Sequence, residues 1–258
     1  MAFYKTEITS DKITSDNPIH QRLMKPYVVV REWVKGDLLE LGCGEGRGFE
    51  LLSPQVNRYL GLDKIEQVID RLKARYGQDL FRHSIFPPVK NIEDQSFDTV
   101  VSFQVIEHIR DDEMFLREIY RILKPGGMAL ITTPNKKMTL TRNPWHIREY
   151  EAPVFRKLAR HIFDDVDLKG ITGNQQVMEY YARNKKSVEK IVRYDVFNLQ
   201  NNLPAFLLKI PYEILNRYNR NRLKSVDDEL VRSMSHEDYL VSENPEESLD
   251  IFALLHKK

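Results

Sequence analysis

One cysteine, Cys43, occurs in 258 residues, so an intrachain disulfide and a cysteine-built zinc site are both excluded. No run of 18 uncharged apolar residues occurs, and no transmembrane helix is expected. An excess of one charge is missing too. The 39 Lys and Arg residues stand against 38 Asp and Glu, a net charge of +1, which leaves no global basic field of the kind a dedicated nucleic-acid binder carries. The stretch from Met1 to Glu7 is polar and acidic and does not read as a signal peptide. With the single buried-type cysteine, this points to a reducing, cytoplasmic setting. Tandem repeats and low-complexity tracts are absent. The Gly-Lys-Ser/Thr ending of a phosphate loop is absent as well.

What is present is an ordinary globular balance, 41% hydrophobic and 30% charged, with length for one large α/β domain or a domain plus a lid. The organising stretch is Asp37-Leu-Leu-Glu-Leu-Gly-Cys-Gly-Glu-Gly-Arg-Gly48. It reads as a buried strand that runs into a glycine-rich turn, the ligand-binding corner of an open α/β sheet. The dinucleotide fingerprint GxGxxG is not met, because the third glycine, Gly46, comes one place early. Glu40 lies two residues before Gly42, where a carboxylate suits an ammonium-bearing ligand better than a pyrophosphate. A second strand, Arg58 to Asp63, ends in an acid 21 residues after Gly42. An acid at that spacing binds ribose hydroxyls in nucleoside-binding sheets, and Asp63 also suits a helix N-cap. Cys43 reads as a small residue beside the ligand rather than a reactive thiol.

The pattern Glu40-x-Gly42-x-Gly44-x-Gly46 resembles motif I of the class I S-adenosylmethionine (SAM) dependent methyltransferases. The opening Ser96-Phe-Asp before an apolar β-branched run, and the segment REIYRILKPGGMALITTPN at 117–135, resemble the same family. The resemblance is strong over about residues 37–135. It implies a Rossmann-like, doubly wound α/β sheet of seven strands, the last antiparallel, with SAM as cofactor. The cofactor set it implies is Glu40, Gly42, Cys43, Gly44, Gly46, Asp63, Lys64, Ser84, Ile85, Phe103 and Gln104. Many relatives place an Asp at the end of the third strand to receive the adenine amino group. Here Ser84 stands in that register, and its hydroxyl or a backbone group would substitute.

Around this core, residues 1–35 form an expected N-terminal helical cap, with Leu23, Tyr27, Val30 and Trp33 at helical steps between Pro18 and Val34. Strands are expected at 163–171 and 249–256, with a helical lid inserted at 175–245 and helices near 176–198, 204–220 and 225–233. Within the insertion, 202–215 is apolar and 216–224 is basic. Such a helix can touch a membrane surface or an anionic acceptor. The reading carried forward is a lid helix whose apolar side packs on the core.

Chemistry concentrates in two places. Glu107-His108 follows the fourth strand at the carboxyl edge of the sheet, and His108 is the candidate general base. The loop Asn143-Pro-Trp-His-Ile-Arg-Glu-Tyr150 adds His146 to the candidate catalytic set, with Asn143, Arg148 and Tyr150 as candidate substrate-binding residues. Some relatives that methylate hydroxyls, including small-RNA 2′-O-methyltransferases and ubiquinone-pathway O-methyltransferases, carry Glu-x-x-Glu-His here as metal ligands. This chain has Gln104-Val-Ile-Glu107-His108, so no metal is assigned, although Glu107, His108 and His146 retain a mixed ligand set. The expected reaction is methyl transfer to a hydroxyl of a small molecule or sugar-containing metabolite. An RNA or protein acceptor and a non-catalytic SAM-binding module are the alternatives, and the oligomeric state is left open.

Overall fold

The computed structural model describes residues 13–193, 195 and 198–258. Expectations for residues 1–12 of the cap lie outside the described residues.

A helix α1 (Asn17–Val30) precedes β1 (Asp37–Leu41), a short α2 (Phe49–Leu52), β2 (Arg58–Asp63), α3 (Glu66–Tyr76) and β3 (Phe81–His83). The chain continues through β4 (Phe97–Phe103), α4 (Asp112–Ile122), β5 (Leu123–Pro134), α5 (Ala152–Arg160) and β6 (Asp165–Gly173). The insertion holds α6 (Gln175–Val192), α7 (Leu199–Asn202), α8 (Ala205–Val226) and α9 (Asp228–Ser233), and β7 (Tyr239–Ser242) and β8 (Asp250–His256) follow. The local causes are those expected of such elements. In α4, Phe115, Leu116, Ile119 and Ile122 share the buried face, and the Asp111 side chain caps the first turn by accepting from the Met114 amide. Strand β1 is buried on both faces from Leu38 to Leu41, as a central parallel strand must be.

The strands form one sheet in the order β3-β2-β1-β4-β5-β8-β6-β7. The first five run parallel, and β8 lies antiparallel between β5 and β6. The sheet therefore has eight strands where seven were expected. The extra one, β7, pairs antiparallel with β6 at the edge and falls inside the insertion expected at 175–245, beyond its last expected helix. Its anchor is Tyr239, buried, whose hydroxyl donates to the Pro18 carbonyl at 2.6 Å. Strand order reverses between β1 and β4, so the crevice at the carboxyl ends of β1, β2 and β4 is the topological switch point where ligands of such sheets bind.

The insertion also corrects the expected orientation of α8. Its inward side is largely polar, with Leu223 the buried apolar residue. Arg217 and Arg220 pair with buried Asp16 ahead of α1, and Asn219 bonds Ser187 and Asn184 of α6. These ties turn much of the apolar side outward, so Phe206, Ile210, Ile214 and Tyr218 face solvent rather than the core.

Candidate active site

The turn after β1 is built by backbone geometry. Gly42 has φ +82° and its amide donates to the Leu62 carbonyl at 2.8 Å; a Cβ there would lie 2.4 Å from Val105 Cγ2. A side chain is therefore excluded twice, by conformation and by space. Gly44 has φ +50° and nothing within 4 Å of where its Cβ would point, so the chain presents bare backbone to open space. The Gly44 amide donates to Asp63 Oδ2 at 2.9 Å, and the Ile65 amide donates to Oδ1 at 2.9 Å. These two bonds fix the buried carboxylate at the tip of β2 while each oxygen keeps a second lone pair.

Glu40 is buried beneath this turn, where it accepts hydrogen bonds from Tyr27 of α1 at 2.7 Å and from Tyr59 of β2. Burial pushes its carboxyl up, and the two tyrosine hydroxyls oppose that shift. Both phenols are themselves raised well above their ordinary value, first by burial and then by Glu40. Cys43 is buried and its thiol is pushed up by burial, which keeps it in the inert form. Phe103 packs edge-on against Tyr27 at 4.8 Å. At the tip of β3 the Ser84 amide donates to the Asp63 carbonyl at 2.9 Å, and His83 Nε2 contacts the Lys64 carbonyl at 3.1 Å. Ile85 beside them is exposed.

Gln104 takes a left-handed conformation, φ +58°, directly after β4. Its Nε2 bonds Asp250 of β8 at 3.1 Å and Thr132 at 3.3 Å, and Asp250 is gripped by Arg22 of α1. The N-terminal helix is thereby tied to both the glycine turn, through Tyr27, and the tip of β4, through Asp250.

The structure brings Glu107, His108 and His146 together, with candidate ligand atoms within 4.8 Å of one another. The rings of His108 and His146 meet edge-to-face at 4.9 Å. His108 Nδ1 lies 3.0 Å from the Trp145 carbonyl, which only accepts, so the hydrogen of a neutral ring sits on Nδ1 and the lone pair on Nε2. Asn143 Oδ1 accepts from the Trp145 amide, so its Nδ2 faces His146 Nε2 at 2.9 Å. The opposite nitrogen, His146 Nδ1, then donates to Glu149 at 2.6 Å. Glu107 is buried and accepts from the Thr133 hydroxyl at 3.0 Å; burial pushes its carboxyl up to about 7, against the opposing pull of His146.

Arg148 and Tyr150 go elsewhere. Arg148 pairs with Asp112 at the start of α4, the Tyr150 hydroxyl donates to the same Asp112 at 2.7 Å, and Tyr150 is buried. They anchor the loop that carries His146. Tyr27, Tyr59, Glu149 and Asp250 belong to the site yet carried no signal of their own in the sequence, apart from the membership of Glu149 in the flagged loop.

A parallel half-sheet with a bare glycine turn after β1 and a fixed acid at the tip of β2 is the nucleoside-binding corner of a Rossmann-like α/β sheet. Residues 39–131 match the family model of the methyltransferase domain, so the chain carries a methyltransferase domain over that stretch. It is 36% identical over 159 residues to a probable SAM-dependent methyltransferase of Mycolicibacterium smegmatis, an alignment covering 59% of this chain and 61% of that protein. It is 33% identical over 114 residues to the mitochondrial ubiquinone biosynthesis O-methyltransferase of Homo sapiens, covering 38% of this chain and 29% of that one. The chain thus spans about 60% of the length of the first relative and less of the second. A SAM-dependent methyltransferase of Thermotoga maritima shares the fold, with TM-score 0.57 at 16% identity over 93% of this chain and 92% of that one.

Proposed function

We propose that this chain transfers the methyl group of SAM to a hydroxyl of a small molecule or sugar-containing metabolite, with His108 as general base. The observation that carries the reading is the His108 Nδ1 hydrogen bond to the Trp145 carbonyl, which puts the ring hydrogen on Nδ1 and makes Nε2 the basic nitrogen. The residues present fit the cofactor. Asp63 offers free lone pairs for ribose hydroxyls, Gly44 admits a ligand against bare backbone, and the exposed Ile85 offers an apolar wall. Glu40, its oxygens fixed by Tyr27 and Tyr59, supplies a carboxylate for the cofactor's ammonium end. Bound SAM supplies a methyl group on a sulfonium that needs no further activation, so alignment does most of the work. The protein's part is to take the acceptor's proton at His108 Nε2, while the Trp145 carbonyl stabilises the imidazolium through Nδ1–H.

Replacing His108 by Ala is expected to lower kcat by about 10²–10⁴ and leave SAM affinity unchanged. Release of S-adenosylhomocysteine against a panel of phenols, catechols and sugar hydroxyls measures the first effect, and calorimetry the second. Retained turnover in the variant would sink the base assignment. Release with any acceptor rules out a non-catalytic module.

The three-residue cluster itself favours a second reading, metal-assisted deprotonation by Glu107, His108 and His146. Against it, both ring nitrogens of His146 are already engaged, by Asn143 and Glu149. A chelator that abolishes turnover, restored by one divalent ion, would establish this second reading.

A further inference from the structure

Helix α8 shows an apolar stripe to solvent. Phe206, Ile210, Ile214 and Tyr218 follow one another every four residues and are 71%, 68%, 62% and 61% exposed, with Leu207 beside them at 50%. At about 1.5 Å per residue the stripe runs for roughly 18 Å. A contiguous apolar strip of this kind marks an interaction site on a folded surface. The rest of the helix explains why the strip stays outside. Lys209 lies over the Trp145 ring at 3.9 Å, Glu213 accepts from Trp145 Nε1 at 3.0 Å, and Arg217 and Arg220 hold Asp16. The polar side is thus committed to the protein.

Charge selects the occupant. Residues 183–226, which span most of α6 and all of α8, hold ten Lys and Arg against three Asp and Glu, a net +7 in a chain whose total is +1. Lys185, Lys186 and Lys190 of α6 and Arg222 of α8 are exposed. The two helices are held together by Ser187 and Asn184 against Asn219, and by Arg183 against Asp227 just beyond α8. Arg183, Arg217, Arg220 and Lys224 are paired with acids outside this stretch, so the exposed charge of the face is carried by Lys185, Lys186, Lys190 and Arg222. An isologous dimer would set these like charges against each other. An anionic lipid surface meets both features at once, since it takes apolar side chains into the acyl boundary and basic ones among the headgroups.

We propose that the α6–α8 hairpin docks this protein peripherally on anionic phospholipid membranes, with Phe206, Ile210 and Ile214 in the interface and Lys186, Lys190 and Arg222 over the headgroups. The site lies outside the catalytic cluster, and the proposal does not depend on the acceptor's identity.

Flotation of the full chain with phosphatidylcholine vesicles, with and without about 30 mol% phosphatidylglycerol, tests it. The expected result is binding to the anionic vesicles alone, weakened at least about tenfold between 0.1 and 1 M salt. The double substitution I210D/I214D, at exposed positions, is expected to weaken binding at least about tenfold while circular dichroism and SAM affinity stay unchanged. The triple substitution K185E/K186E/K190E is expected to do the same. Absence of binding to either vesicle overturns the proposal, and so does binding that neither variant diminishes. A dimer seen by light scattering and lost in I210D/I214D, with vesicle binding unaltered, would assign the strip to a second copy and overturn it too.

Discussion

Replacing Glu107 by Gln should change how stability depends on pH, and the structure sets the size of the effect. The carboxyl is buried, and burial raises it from 4.5 to about 7 despite His146 and the Thr133 hydroxyl. Below the lower value both folded and unfolded states are protonated, and above the upper one both are ionised. Between them the folded state keeps a proton that the unfolded chain has released. Stability from this group is therefore fully present below pH 4.5 and is lost as pH rises through about 7. At about 1.36 kcal/mol per pH unit the loss amounts to about 3 kcal/mol. The amide of Glu107→Gln keeps an acceptor for Thr133 and has nothing to titrate. Its stability relative to the parent should therefore rise by about 3 kcal/mol between pH 4.5 and 8, or about 6–12 °C in Tm for a domain of this size. Urea denaturation at several pH values, with m-values checked for constancy, measures this directly. A stability difference that stays flat across that range would refute the buried, proton-holding description of Glu107.

Asp63→Ala removes two backbone anchors and the proposed ribose contact, and should weaken SAM binding about tenfold or more by calorimetry. Unchanged affinity would remove Asp63 from the cofactor site. Tyr59→Phe strips a buried Glu40 oxygen of its donor and should cost about 1–3 kcal/mol in chemical denaturation, with Tyr27→Phe similar and the pair coupled because they share one carboxylate. We expect the insertion at 175–245, proposed as a lid, to slow in hydrogen exchange when SAM is added, and equal exchange with and without it would count against a lid.

The glycine turn and Asp63 were legible because their causes are local: positive φ at Gly42 and Gly44, and one acid at the end of one strand. The parallel core was legible for a similar reason, since β1, β2, β4 and the Met128–Thr133 part of β5 are short, mostly apolar runs closed by turn residues. The same locality hid the rest. No local pattern shows that the oxygens of Glu40 are held by hydroxyls from Tyr27 and Tyr59, 13 and 19 residues away on separate elements. Arg148 and Tyr150 were read as reaching the acceptor. They converge instead on Asp112, a partner 38 residues from Tyr150 that no spacing rule suggests. Strand β7 is four residues long and owes its place to Tyr239 rather than to any alternation. The sequence alone favours a packed α8 over an exposed one, because an apolar stripe is ordinarily the buried side. Here ion pairs with Asp16 decide the orientation.

The position of β8 bears on how the chain is made. This strand comes after all others in sequence yet lies between β5 and β6, with Pro134 opposite Asp250. On a ribosome adding about 5–20 residues per second, β5 waits roughly 6–23 s with one edge of unpaired amides and carbonyls before its neighbour emerges. Over the same interval β6 has no route into the sheet, Arg22 lacks the carboxylate of Asp250, and Gln104 lacks its partner on β8. The nucleoside half of the protein can assemble early, from β1 to β4, whereas the clasp between α1 and the tip of β4 closes only when residue 250 arrives. The nascent chain's period of greatest exposure to wrong strand pairing is therefore the synthesis of the insertion between β6 and β8.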